Sequence, residues 1–278
     1  MSFLVLLLVL WIEKFSALRH RIQHDGFFLR ELARVERSRQ MAGHPWWVLA
    51  IMVFLPVAVL ALLLLVLKPV AYGWLAFPLH FVVVIYSLGR GDFMAALGPF
   101  RDAWRRGDEQ AAIHVAERDL KLGADDAGQL LERVQGHLLW QAYQSFFAVI
   151  FWYFLLGPAA ALCYRLLALV AEQGHNRAVV ERAEQLRHAF DWIPVRLLAV
   201  SFALVGNFLA VSRVLLHELL NWHISAARLI ENVGRVAGEL PAPVPGEEGL
   251  VSLNTLWELL LRAAVLWYAG FAVWTVLG

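Results

Sequence analysis

Trp46–Leu67 reads WWVLAIMVFLPVAVLALLLLVL and carries no charged residue. Roughly 20 consecutive apolar residues cross the hydrocarbon core of a bilayer as a helix, because every backbone polar group must be satisfied internally there. This stretch alone predicts a transmembrane helix. Lys68-Pro69 interrupts it and a second apolar run covers 70–88. So short a connection predicts a helical hairpin. Trp46, Trp47, Tyr72, Trp74 and Tyr86 fall near the run ends, where interfacial aromatics concentrate. Pro56 and Pro78 are kinks that membrane helices tolerate.

Four more apolar runs lie outside this pair: about 2–12, 146–170, 197–216 and 256–277. Of the 278 residues, 60% are hydrophobic and 17% charged, against about 45–50% and 25% in soluble domains. The charges gather in blocks, notably 13–45 and 89–145. The fold class expected is all-α: a polytopic membrane helical bundle with amphipathic cytoplasmic helices, forming one domain over 1–278. Leu4–Trp11 is short for a span, so it either crosses with snorkelling flanks or lies in the interface, and with Glu13-Lys14 following it the run is not expected to be a cleavable signal. A formal net charge of +1 gives no electrostatic basis for binding nucleic acid.

Basic residues set orientation. Arg19, Arg21, Arg30, Arg34 and Arg37 precede the hairpin, and Arg90, Arg101, Arg105, Arg106 and Arg118 follow it. Only Lys68 marks its tip, which should face outward while both basic blocks face the cytoplasm. The run at 146–170 contains Gly157-Pro158. It either crosses fully, leaving the polar block 172–191 external, or folds back at Gly157-Pro158 and keeps that block cytoplasmic. Within 89–145 two amphipathic helices are expected, capped by Asp108 and Asp125. The segment 238–249, with Pro241, Pro243 and Pro245, reads as a linker.

Asp191-Trp192-Ile193-Pro194-Val195-Arg196-Leu197 lies where a polar segment meets an apolar one. Proline at the first turn of a helix loses no hydrogen bond, and an aspartate before it can cap the free N–H groups. The pattern predicts that one helix ends and another begins at Pro194. Arg177, Glu181, Glu184, His188 and Asp191 share one helical face, opposite Val179, Ala183, Leu186 and Phe190. That face is either a solvated surface laced with i,i+4 pairs or the wall of a polar pocket roofed by Asp191 and Arg196. His217-Glu218-Leu219-Leu220-Asn221 lacks the second histidine of a zinc-protease helix, so no metal site is expected. Cys163, the one cysteine, reads as a small buried hydrophobe.

Phe151-Trp152-Tyr153, the run from Gly157-Pro158 to Tyr164-Arg165-Leu166, and Asp191-Trp192-Ile193-Pro194-Val195-Arg196-Leu197 together resemble the AmpE family. The amino-terminal Leu10-Trp11-Ile12-Glu13-Lys14-Phe15 fits too. The resemblance implies an inner-membrane protein of β-lactamase induction. That family is similar in turn to the CobD/CbiB membrane synthetases of cobalamin biosynthesis. By that resemblance, carboxylates suited to a magnesium nucleotide are replaced here at Ala168-Leu169 with Ala171, at Arg187-His188 and at Gln144-Ser145, while Glu13, Tyr164, Arg165, Pro194 and Arg196 remain.

The reading is therefore a non-catalytic, multi-pass regulatory or sensory protein of the bacterial inner membrane. Its candidate ligand-binding residues are Glu13, Arg165, His188, Asp191 and Arg196, with no catalytic residue, metal or cofactor expected. The expected partners are the lipid bilayer, a small-molecule or nucleotide-like ligand and a cell-wall signalling partner. The alternative is a membrane-bound ligase related to adenosylcobinamide-phosphate synthase. A transporter is disfavoured, because a substrate or proton relay usually shows several acidic residues at membrane depth.

Overall fold

The computed structural model describes residues 25–38, 43–67, 76–88, 93–124, 126–240 and 247–277. Every regular element among them is a helix, so the all-α class holds. Helix α1 is Gly26–Arg37, α2 is Pro45–Leu67 with a π-turn at Ala50–Phe54, and α3 is Ala76–Ser87. Next come three short helices: α4 (Phe93–Ala96), α5 (Gly98–Arg105) and α6 (Glu109–Val115, extended by a π-turn at Ala116–Leu120). Helix α7 runs Ala127–Leu156 with a π-turn at Tyr143–Phe147, followed by α8 (Pro158–Gln173) and α9 (Arg177–Val205). The chain closes with α10 (Phe208–Glu218), α11 (Ala226–Ala237) and α12 (Glu247–Leu277). Among the described residues, four helices are long and apolar enough to cross a membrane: α2, α7, α9 and the Gly249–Leu277 part of α12. Helix α3 is a shorter apolar helix, and the Lys68 turn expected between α2 and α3 lies outside the described residues.

The chain forms two compact units. One comprises Met1–Arg90, Gln144–Asp191 and Trp274–Gly278; the other comprises Gly91–Tyr143 and Trp192–Val273. In the first unit α8 is central and packs against α2, α3 and the Ala148–Leu156 end of α7. Its Leu166, Leu167 and Val170 join Val48, Leu49 and Val53 of α2, Leu32 of α1, and Val179 and Ala183 of α9 in one buried core. These α9 residues are the apolar face expected from the sequence.

Of the two readings of 146–170, the structure takes the fold-back. Helix α7 stops at Leu156, α8 starts at Pro158, and the two pack together around Gly157. Gly157 has φ 85° and ψ −170°, a conformation open in practice only to glycine. Its Cβ position faces open space, so Gly157→Ala costs backbone strain alone. We expect this variant to lose about 1–3 kcal/mol of stability. Thermal unfolding in detergent micelles measures it, and a wild-type melting temperature would contradict the assignment.

The break expected at Pro194 does not occur. Helix α9 continues through it to Val205. Membrane helices accept an internal proline because neighbouring groups re-satisfy the freed backbone. The chain breaks instead at Gly206-Asn207, dividing the expected run 197–216 into α9 and α10. Asn207 caps α10, its Oδ1 accepting from the Ala210 N–H at 3.0 Å. A Cβ on Gly206 would lie 2.7 Å from the Ala237 carbonyl oxygen, so close approach to the end of α11 requires glycine there. In the second unit Asp108 caps α6 as expected, accepting from Ala111 N at 3.0 Å. Asp125 lies outside the described residues, and the cap of α7 is Asp126, accepting from Gln129 N at 2.7 Å. Helix α11 packs on α7 and α10. Gln135 donates to Ser252 and Trp267 to Ser201, tying α12 to α7 and α9 within that unit.

Candidate functional site

In the first unit, α7, α8 and α9 converge on a buried polar cluster. Arg187 of α9 lies one helical turn before Asp191, with Nε 3.7 Å from Asp191 Oδ2. Its Nη1 donates to Glu172 Oε1 of α8 at 3.2 Å, and its Nη2 donates to the Gln144 side-chain oxygen of α7. Tyr164, wholly buried on α8, donates its hydroxyl to Asp191 Oδ1 at 2.8 Å. Arg187 and Asp191 are themselves buried, whereas the Glu172 side chain is one-third exposed. The cluster thus reaches from the core to the surface. One guanidinium faces two carboxylates, so Arg187 balances the buried Asp191 while Glu172 carries the remaining negative charge toward the surface.

Glu36 of α1 serves the same unit differently. Its buried carboxylate accepts from the backbone N–H groups of His175 and Asn176 at 3.0 and 3.3 Å, fixing the α8–α9 connection. Arg165 pairs with Asp25 at 2.8 Å, both largely buried. His188 is half-buried on α9, and Glu13 lies outside the described residues. At the exposed start of α9, Arg177 and Glu181 form an i,i+4 surface pair at 3.0 Å. The polar face of α9 is therefore a solvated ladder at one end and a buried cluster at the other.

Arg196 belongs to the second unit. Its Nη1 donates to the Trp192 carbonyl at 2.8 Å, its Nη2 to the Asn221 carbonyl at 2.7 Å, and its Nε to the Leu219 carbonyl. The guanidinium stacks 4.3 Å from the Trp192 ring centroid, and Trp192 in turn contacts Trp222. Three backbone carbonyls in a fixed geometry are what a planar five-donor fork can satisfy. Asp191 and Arg196, expected to share a ligand, are each engaged by other groups.

The turn that Arg196 holds forms one wall of a cleft of about 640 Å³. Glu218, Asn221, His223, Ser225, Arg228 and Asn232 line it. Asn221 organises this wall, donating to Glu218 at 2.8 Å and accepting from the His223 N–H at 3.0 Å. The residues of the incomplete zinc-protease pattern thus shape a turn. Ser225 caps α11 by accepting from Arg228 N at 3.3 Å. One turn into α11, burial pushes the Glu231 carboxyl above the usual carboxylate range, opposed by Arg235.

Residues 1–232 match the family model described as regulatory signalling modulator protein AmpE. The chain belongs to the AmpE family. Its likeness to "Protein AmpE" of Shigella flexneri is 24% identity over 222 residues, covering 74% of this chain and 75% of that protein. A cobalamin biosynthesis protein CobD of Stutzerimonas stutzeri (strain A1501) is 31% identical over 182 residues, 60% of this chain and 57% of that protein. No solved structure matches. Gln144 and Arg187, two of the positions where the sequence resemblance puts lost carboxylates, meet in one hydrogen-bonded cluster. The donor set does not fit a divalent cation, because Arg187 already sits between Asp191 and Glu172 as the positive charge. Tyr164, Glu172 and Arg187 were absent from the candidate site read from sequence. The spacing of Arg187 and Asp191 at i and i+4 was the available signal.

Proposed function

We propose that this chain is a non-catalytic, multi-pass modulator of the bacterial inner membrane, acting in β-lactamase induction by binding a small acidic ligand at the cleft between α10 and α11. The observation that carries this reading is the cleft itself. Its lining is polar apart from Ile224, it includes the cationic Arg228 and the titratable His223, and Arg196 holds its wall. Membership in a family of regulatory signalling modulators supplies the regulatory role. A second reading, a ligase related to adenosylcobinamide-phosphate synthase, is favoured by the likeness to CobD. The Arg187 guanidinium, already standing between Asp191 and Glu172 where a cation would sit, weighs against it.

Thermal unfolding of the purified protein with anhydro-muropeptides, ATP or cobinamide precursors separates the two. A ligand of the native state stabilises by RT ln(1 + [L]/Kd), about 2.7 kcal/mol at a hundredfold excess over Kd. Stabilisation by anhydro-muropeptide that disappears in Arg228→Ala is expected. Stabilisation by ATP or a cobinamide precursor would favour the ligase, and no stabilisation by any of them would remove both readings.

A further inference from the structure

Helix α1 carries an exposed stripe that neither the fold nor the cleft uses. Phe27, Arg30, Arg34 and Arg37 are all exposed and stand at i, i+3, i+7 and i+10, within about 80° of one another around the helix. The opposite side of α1 is anchored. Leu32 is buried in the core of the first unit, Phe28 and Val35 pack against that core, and Glu36 is tied to the α8–α9 connection. The stripe is therefore held in one direction.

Its level relative to the bilayer follows from α2. Helix α1 packs on Pro45–Leu49, the beginning of that candidate span. Trp46 and Trp47 are 52% and 62% exposed there, as aromatic residues are at the headgroup level. Arg182 adds a fourth cation, its guanidinium 5.8 Å from the Trp46 ring centroid. Glu31 offsets part of this charge through a solvent-exposed pair with Arg34 at 2.9 Å, and such pairs are weak and readily exchanged. Arg30 uses its Nε on the Gly26 carbonyl, which leaves the terminal nitrogens of its fork for a phosphate.

We propose that the Phe27–Arg30–Arg34–Arg37 face of α1, with Arg182, is a docking surface for anionic phospholipid headgroups beside the start of α2. The cations bind the phosphates, and Phe27 inserts at the acyl boundary, as an interfacial amphipathic helix does. Charge complementarity selects anionic over zwitterionic lipid, since each basic residue near an anionic surface contributes about a fivefold preference.

A local readout tests this. Gly43 is exposed and its Cβ position is open, so a fluorophore can be attached through Gly43→Cys in a Cys163→Ala background. The full chain is placed in phosphatidylcholine nanodiscs containing acyl-chain-labelled phosphatidylglycerol, or labelled phosphatidylcholine as the reference. Energy transfer to phosphatidylglycerol should exceed that to phosphatidylcholine and should weaken with salt. In Arg30→Gln/Arg34→Gln/Arg37→Gln the apparent affinity for phosphatidylglycerol should fall about fivefold per arginine. A control Arg105→Gln/Arg106→Gln/Arg118→Gln, with the same loss of charge and an intact α1 face, should leave it unchanged. The single Arg34→Gln, at a side chain 77% exposed, gives the same test if the triple variant folds poorly. Equal transfer to both lipids in the parent protein, or an unchanged preference in a folded stripe variant, overturns the proposal.

Discussion

Replacing Arg187 by leucine is expected to destabilise this protein by about 3–5 kcal/mol, the cost of stranding a buried charge by removing its partner. The substitution removes the cation beside the buried Asp191 and deprives Gln144 and Glu172 of the hydrogen bonds that Arg187 donates. Arg187→Leu combined with Asp191→Leu should recover much of the loss, because it removes both charges and fills the volume with apolar atoms. The residual cost of the double variant then reports Tyr164, left without its acceptor, at about 1–3 kcal/mol. Unfolding of the four proteins in one detergent gives the coupling by a double-mutant cycle. Additive losses at Arg187 and Asp191 would mean that the cluster is not a charge pair. The same experiment bears on the kinship with CobD. An arginine placed between two carboxylates for structural reasons should be needed for folding whether or not any ligand is bound.

Arg196→Lys is expected to fold and insert but to lose about 2 kcal/mol of stability and most of its signalling. The estimate reflects loss of one or two charge-assisted bonds at about 1.5–3 kcal/mol each, partly offset by relaxation around the retained charge. A lysine ammonium reaches one or two carbonyls from one point. It cannot span Trp192, Leu219 and Asn221 together, nor stack as a plane on Trp192. On the function proposed above, Arg196 acts by positioning the Asn221–His223 wall of the cleft through these three carbonyls. Two measurements separate this from simple snorkelling, which needs only a long stem and a charge. A β-lactamase induction assay at matched protein level should show the loss, and proteolysis at the 219–225 turn should accelerate. Wild-type behaviour in both would assign Arg196 to the membrane interface alone.

The sequence by itself determined what depends on local composition. Uninterrupted apolar length specified the membrane helix at 46–67, because a bilayer demands it of any span. The buried side of α9, Val179 and Ala183, followed from helical spacing, and Asp108 was readable as a cap. The motif Asp191–Leu197 carried the family, and in the structure both of its ionisable residues are fully engaged. What the sequence did not determine was where helices end, because that depends on what a residue meets in space. Pro194 looked like a stop, yet α9 runs through it. Gly206, unremarkable in sequence, sits at the actual break, where Asn207 caps α10 and the Ala237 carbonyl leaves no room for a Cβ. Gly157-Pro158 permitted either crossing or return, and packing of α8 against α7 decided for return. The partners of Asp191 and Arg196 were equally hidden. Five residues apart on one helix, they point about 140° apart around its axis, and tertiary packing supplied Tyr164 and Arg187 to one and the carbonyls of Leu219 and Asn221 to the other. Spacing along a chain fixes which residues share a face; only the fold brings the groups from other helices that satisfy them.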